Sequence, residues 1–114
     1  MSTTIFFGAA TDVKIVRDEI FVLCLSVSTF EEEQEAARMA NDTIFGLGAS
    51  VWTEELAQAH RLSRALKAGT VSVNIVVDVR TPFGGFKQSG NGRDLSPHAF
   101  EKYTETKTTW IRLR

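Results

Sequence analysis

A second cysteine is missing from this sequence. Cys24 stands alone, so no internal disulfide can form, and a reducing, cytoplasmic setting is expected. An excess of either charge is missing too: the formal net charge is -1 over 114 residues. No global field therefore draws nucleic acid or an anionic membrane to the chain. Long apolar runs are absent. The longest, Ile20 to Leu25, falls far short of the roughly 20 residues that a membrane-spanning helix requires. Met1-Ser2-Thr3-Thr4 has no basic character, so a signal peptide is not expected. The two histidines, His60 and His98, fall on separate expected helices without cysteine or carboxylate at ligand spacing, which argues against a metal site. No repeat, linker or low-complexity tract interrupts the sequence.

What is present is ordinary globular material, with 43% hydrophobic and 24% charged residues. One domain spanning residues 1–114 is expected, large enough to bury about two thirds of its unfolded surface. Thr4 to Phe7 is a short β-prone run closed by Gly8. Asp12 is placed to cap a short helix running through Lys14 to Glu19. Ile20 to Ser28 reads as a strand buried on both faces of a parallel sheet. Ser28 and Thr29 each precede a glutamate at capping-box spacing, and Glu31, Glu32 and Glu33 suit a first helical turn. Ala36, Met39 and Ala40 then form a narrow inward stripe, and Asn41 and Asp42 end the helix.

Gly48 to Trp52 reads as the next strand, and Thr53 as the cap of a helix whose inward stripe is Leu56, Ala59, Ser63 and Leu66. Gly69 suits the left-handed position after that helix. Thr70 to Val77 alternates as a further strand. Strand, helix, strand, helix, strand predicts an α/β fold, a partial doubly wound parallel sheet. Ser96-Pro97 announces a C-terminal helix to about Tyr103. Thr104 to Leu113 reads as an edge or intersubunit strand.

The chemistry legible from the residues alone is sparse. Cys24 has no neighbouring cation or helix N-terminus to activate it and reads as a buried, inert thiol. Gly85-Phe86-Lys87-Gln88-Ser89-Gly90 has the first spacing of a phosphate-binding loop, but Asn91 stands where lysine is required. The glycines are better read as permitting tight turns, with Lys87 and Arg93 bonding carbonyls or carboxylates inside the fold. Arg61, Arg64 and Lys67, offset by Glu54 and Glu55, read as a solvated helix face. Glu19 alone reads as a solvated carboxylate at a helix end.

Four segments change that picture: Arg17-Asp18-Glu19-Ile20-Phe21, Ala40-Asn41-Asp42-Thr43-Ile44-Phe45-Gly46-Leu47, Ala68-Gly69-Thr70-Val71-Ser72-Val73-Asn74, and Pro82 to Arg93. In this order and at this spacing they resemble the C-terminal segment of the catalytic domain of the aldehyde dehydrogenase superfamily. The ending Gln88 to Asp94, with His98, Ala99, Glu101 and Lys102, is most similar to its gamma-glutamyl-aminobutyraldehyde branch. Members are several times longer and oxidise aldehydes to acids with NAD or NADP, through a cysteine nucleophile and a glutamate base. The resemblance carries over a cofactor-binding role for Glu19, on the nicotinamide ribose hydroxyls, and for Phe21, packed beside that ribose; two carboxylate oxygens suit two hydroxyls. Val22-Leu23 replace the family's Gly-Pro after that phenylalanine. Asn74 and residues 76–81 match a substrate-tunnel region. No catalytic residue transfers, since Cys24 lies outside the family's cysteine motif.

The expectation is a free-standing fragment, non-catalytic alone and needing no cofactor by itself. It is expected to self-associate as a dimer through Thr104 to Leu113, the family's intersubunit strand, with neither nucleic acid nor membrane as partner. The alternative is a contribution to an aldehyde dehydrogenase site shared with a separately encoded polypeptide.

Overall fold

The computed structural model describes residues 2–75 and 78–114, and the chain divides into two compact units, Met1–Thr43 and Ile44–Arg114.

In the first unit, β1 (Thr4–Phe7) and β2 (Cys24–Val27) pair in parallel, with Thr4 opposite Cys24 and Phe7 opposite Val27. Gly8 ends β1 as expected, at a φ of 65° where a side chain would be strained, and its N–H bonds the Val27 carbonyl at 2.9 Å. The crossover holds only a one-turn helix, α1 (Lys14–Arg17), and three expectations there need correction. Asp12 does not cap it: Val13 occupies the N-cap position, without a side-chain hydrogen bond. The helix stops at Arg17 because Asp18 is already extended, with ψ at 148°. Ile20 to Leu23 is not strand. The N–H groups of Val22 and Cys24 each bond the carbonyl two residues back, at 2.8 Å, and narrow turns of this kind occupy the groups a ladder would need.

Helix α2 (Glu33–Asn41) begins later than the capping pattern predicts. The Ser28 hydroxyl instead donates to the Ala9 carbonyl at 3.2 Å, and the Glu35 carboxylate accepts from the Glu31 N–H at 3.0 Å. Glu33 and Glu35 therefore hold the acidic first turn. Ala36 and Met39 are half-buried and Ala40 is exposed. The double-sided burial expected of Ile20 to Ser28 is not achieved among the described residues: in β2 Cys24, Ser26 and Val27 are half-buried and Leu25 is exposed, and every residue of β1 is exposed.

In the second unit, β3 (Gly48–Val51), α3 (Leu56–Ala65) and β4 (Thr70–Val73) form a parallel β-α-β element, with Gly48 opposite Thr70 and Val51 opposite Val73. Val51 and Ala59 are the buried apolar side chains of the described residues. Leu56 does not join the inward stripe and remains 73% exposed; it is the first residue of α3, and half-buried Leu62 takes its place. Thr53 sits two residues before the N-cap position, where its hydroxyl accepts the Glu55 N–H at 3.1 Å. β4 ends at Val73, shorter than expected, because Asn74 turns the chain at a φ of 53° and Ile75 does not resume the strand; Val76 and Val77 lie outside the described residues.

The α/β class stands, with the described strands forming two parallel pairs. Ser96 caps a C-terminal helix as predicted, its hydroxyl accepting the His98 N–H at 3.3 Å, but Pro97–Tyr103 is 3-10 rather than α. Residues 104–113 are exposed and carry no strand pairing among the described residues. No helix there is long and apolar enough to cross a membrane.

Candidate functional site

Three of the four resembling segments meet at one backbone position of the second unit, Gly46. The Gly46 carbonyl accepts the N–H groups of Gly69, at 3.0 Å, and Phe86, at 2.8 Å. The Gly46 N–H donates to the Ser89 hydroxyl at 3.0 Å. This convergence requires bare backbone: a Cβ on Gly46 would lie 2.6 Å from the Lys67 carbonyl oxygen. Gly69 is not the left-handed cap of α3, which ends through Leu66 at a φ of -75°. Its role is close approach, since a Cβ there would meet the Gly84 oxygen at 1.8 Å.

The loop from 83 to 94 is closed by an antiparallel bridge between Phe83 and Asp94. Arg93 behaves as expected. One of its terminal nitrogens donates to the carbonyls of Gly85, Asn91 and Gly92, at 2.9–3.2 Å, and the guanidinium lies 5.6 Å from the centroid of Phe86. A phosphate cradle needs free N–H groups, but those of Phe86, Gln88, Ser89 and Gly90 are bonded to the carbonyls of Gly46, Ile44, Phe86 and Lys87. The loop is a clasp, not an anion site.

The remaining segment, Arg17 to Phe21, lies in the first unit. Glu19 and Phe21 occur on the same short stretch after α1, in an open depression formed with Ile20, Val22 and Leu23. Both are exposed, and Phe21 is 93% accessible. Among the described residues, neither side chain makes a hydrogen bond or ion pair. Arg17, two residues earlier, is anchored: its guanidinium donates to the Asp42 carboxylate and to the Asp42 carbonyl, each at 2.9 Å.

Cys24 is half-buried rather than buried, on an apolar hollow shared with Thr4, Phe6, Ile15, Ile20 and Val22. Asn74, matched to the tunnel region, holds the start of the β3–α3 loop. Its amide oxygen accepts the Thr53 N–H at 2.9 Å and its amide nitrogen donates to the Thr53 carbonyl at 2.7 Å. His98 has a carboxylate partner that spacing arguments missed, Glu101 at 2.9 Å; no group of three potential metal ligands occurs among the described residues.

In the remainder of that matched region, Asp78 to Thr81 forms a turn, with the Thr81 N–H bonded to the Asp78 carbonyl at 3.1 Å. The side-chain hydrogen bond from Arg80 holds the Asp78 carboxyl below its ordinary range, and the Arg80 backbone N–H adds to it. A depressed folded value stabilises the turn above the ordinary aspartate pKa and is lost as pH falls through the depressed one. In Arg80→Gln, a carbon NMR titration of the Asp78 carboxyl should therefore move upward, towards about 3.9. An unmoved midpoint would show that Arg80 does not hold the carboxylate in solution.

Comparison with known proteins places this geometry. The family model described as "Aldehyde dehydrogenase family" matches residues 1–109. The chain belongs to the aldehyde dehydrogenase family. It is 54% identical over 112 residues to the NADP/NAD-dependent aldehyde dehydrogenase PuuC of Escherichia coli (strain K12), covering 96% of this chain and 23% of that protein. Among solved structures, the aldehyde dehydrogenase KauB of Pseudomonas aeruginosa superposes with a TM-score of 0.91 at 57% identity, over 97% of this chain and 23% of that one. The indole-3-acetaldehyde dehydrogenase AldA of P. syringae, solved with NAD+ and IAA, gives the same TM-score and coverage at 55% identity. The chain thus spans about a quarter of the length of these relatives. The four motif segments had identified the aldehyde dehydrogenase family from the sequence; the Arg17–Asp42 contact, although both residues lie in those segments, had no signal in spacing.

Proposed function

We propose that this chain is a C-terminal segment of an NAD(P)-dependent aldehyde dehydrogenase catalytic domain, non-catalytic by itself and self-associating through residues 104–113. The observation that carries this reading is the apolar surface left open: Trp110, Ile111 and Leu113 are exposed, as are Ile5, Phe6 and Phe7 of β1. Exposed apolar surface on this scale is a mark of association. In this reading the two parallel pairs belong to a doubly wound sheet, and the setting is cytoplasmic. Measuring molar mass in solution tests the association directly.

Oxidation of an aldehyde in this family needs an activated thiolate, and Cys24 occupies an apolar hollow on β2 instead. The chain alone is therefore expected to show no turnover of small or amino-aldehydes with NAD or NADP. Turnover that disappears in Cys24→Ala would overturn this.

A second reading is favoured by the open depression at Glu19 and Phe21. Here the segment supplies ribose contacts to a site completed by a separately encoded aldehyde dehydrogenase polypeptide. Glu19 offers one charge-assisted contact, worth roughly 1.5–3 kcal/mol. Micromolar affinity requires about 8 kcal/mol, so any nucleotide binding by the chain alone is weak. A neighbouring reading frame encoding the remaining length of the relatives would favour this second reading.

A further inference from the structure

We propose that Arg17 is a positioning residue for the nicotinamide-ribose contacts, setting where Glu19 and Phe21 stand by clamping the end of α1 to the end of α2. The proposal rests on the ribose role given above to Glu19 and Phe21.

The clamp joins residues 25 positions apart. Asp42 is the C-cap of α2, and its own N–H bonds the Met39 carbonyl at 3.2 Å. The guanidinium therefore takes two acceptors at once: the Asp42 carboxylate and a carbonyl at the helix end, where unpaired carbonyls concentrate negative partial charge. A partly exposed ion pair alone contributes little. A planar fork that satisfies a carboxylate and a capping carbonyl together fixes distance and orientation between two elements, which an ammonium does not.

What the fork controls is the stretch that follows. Asp18 is extended, and the chain then runs unsupported through Glu19 before the two narrow turns that end at Cys24. The far end is held by β-pairing, with the Thr4 N–H bonded to the Leu23 carbonyl at 3.0 Å. Glu19 and Phe21, whose side chains make no hydrogen bond or ion pair among the described residues, lie between the Arg17 fork and the β2 ladder. With one anchor released the stretch pivots on the other, and a carboxylate that must meet two vicinal hydroxyls loses its alignment.

The test uses the full 114-residue chain, labelled with nitrogen-15, and nicotinamide mononucleotide as the probe. In the unmodified chain the Glu19 and Phe21 amides should be rigid, with order parameters near 0.85, and should shift on millimolar titration. Arg17→Gln should lower those order parameters towards about 0.6 and weaken the probe about tenfold, while hydrogen exchange in the β1–β2 ladder stays as it was. Arg17→Lys, which keeps the charge without the fork, should behave as Arg17→Gln does. Equal order and equal affinity in all three chains would overturn the proposal. So would ladder protection falling in step with the loop, which makes Arg17 a stability residue only. If the probe shifts nothing in the unmodified chain but the loop still loosens in both variants, positioning stands and the ribose reading fails.

Discussion

Gly69→Ala should abolish cooperative folding of the second unit. The methyl group would sit 1.8 Å from the Gly84 carbonyl oxygen, with the Gly84 and Gly85 carbonyl carbons at 2.7 and 3.1 Å. All three are backbone atoms, so no flexible side chain can yield. Separating the two segments breaks the bond from the Gly69 N–H to Gly46 and strains the neighbouring bond from Phe86 to the same carbonyl. Losses of this type exceed about 4 kcal/mol, a large part of the roughly 5–15 kcal/mol that stabilises a whole domain. Two other glycines calibrate the effect. Gly90 has open space but a φ of 92° and ψ of 175°, a region reserved for glycine, so Gly90→Ala should cost about 1–3 kcal/mol. Gly92 has neither constraint, and Gly92→Ala should stay within about 0.5 kcal/mol. Urea melts of the three variants should rank in that order. A Gly69→Ala melt matching that of Gly92→Ala would falsify the close approach.

Gly69 also shows why parts of this fold were legible in the sequence and parts were not. Its position after a helical pattern made a left-handed cap the natural reading, because capping is a local rule. The actual demand comes from Gly84, fifteen residues on, and no local pattern encodes it. β1 and its closing glycine were legible because the run and its stop are adjacent. Ile20 to Leu23 misled because an apolar run describes where side chains prefer to be, while the N–H groups of Val22 and Cys24 close turns with carbonyls two residues away. Leu56 misled by the same logic: its helical phase is correct, but the first residue of α3 has no described neighbour to cover it. At the candidate site the four motif segments were readable as types. Their arrangement was not: the segments of Gly69 and Phe86 meet the second segment at Gly46, and Arg17 of the first segment bonds Asp42.

The full chain should form a dimer, and removing residues 104–114 should leave a monomer. At period two, Thr109, Ile111 and Leu113 fall on one face of an extended segment, with Trp110 and Arg112 on the other. In the structure Trp110 and Leu113 are 91% and 87% exposed, and the segment pairs with no strand among the described residues. Burying a side chain such as Ile111 or Leu113 contributes about 1.5–3 kcal/mol. A symmetric contact doubles that term, because each copy presents the same residues. Unpaired terminal segments fray, so pairing supplies ladder hydrogen bonds as well as burial. Glu105 and Lys107 can set register across the pair, which makes the association weaken as salt rises. Light scattering on the full chain, the truncation and Ile111→Asp separates the possibilities. Dimer, monomer and monomer is the expected series, with the melting of β3 and β4 little changed by truncation. A monomer in all three, with equal stability, removes the interface role, while a dimer surviving truncation moves the contact to the exposed β1 edge.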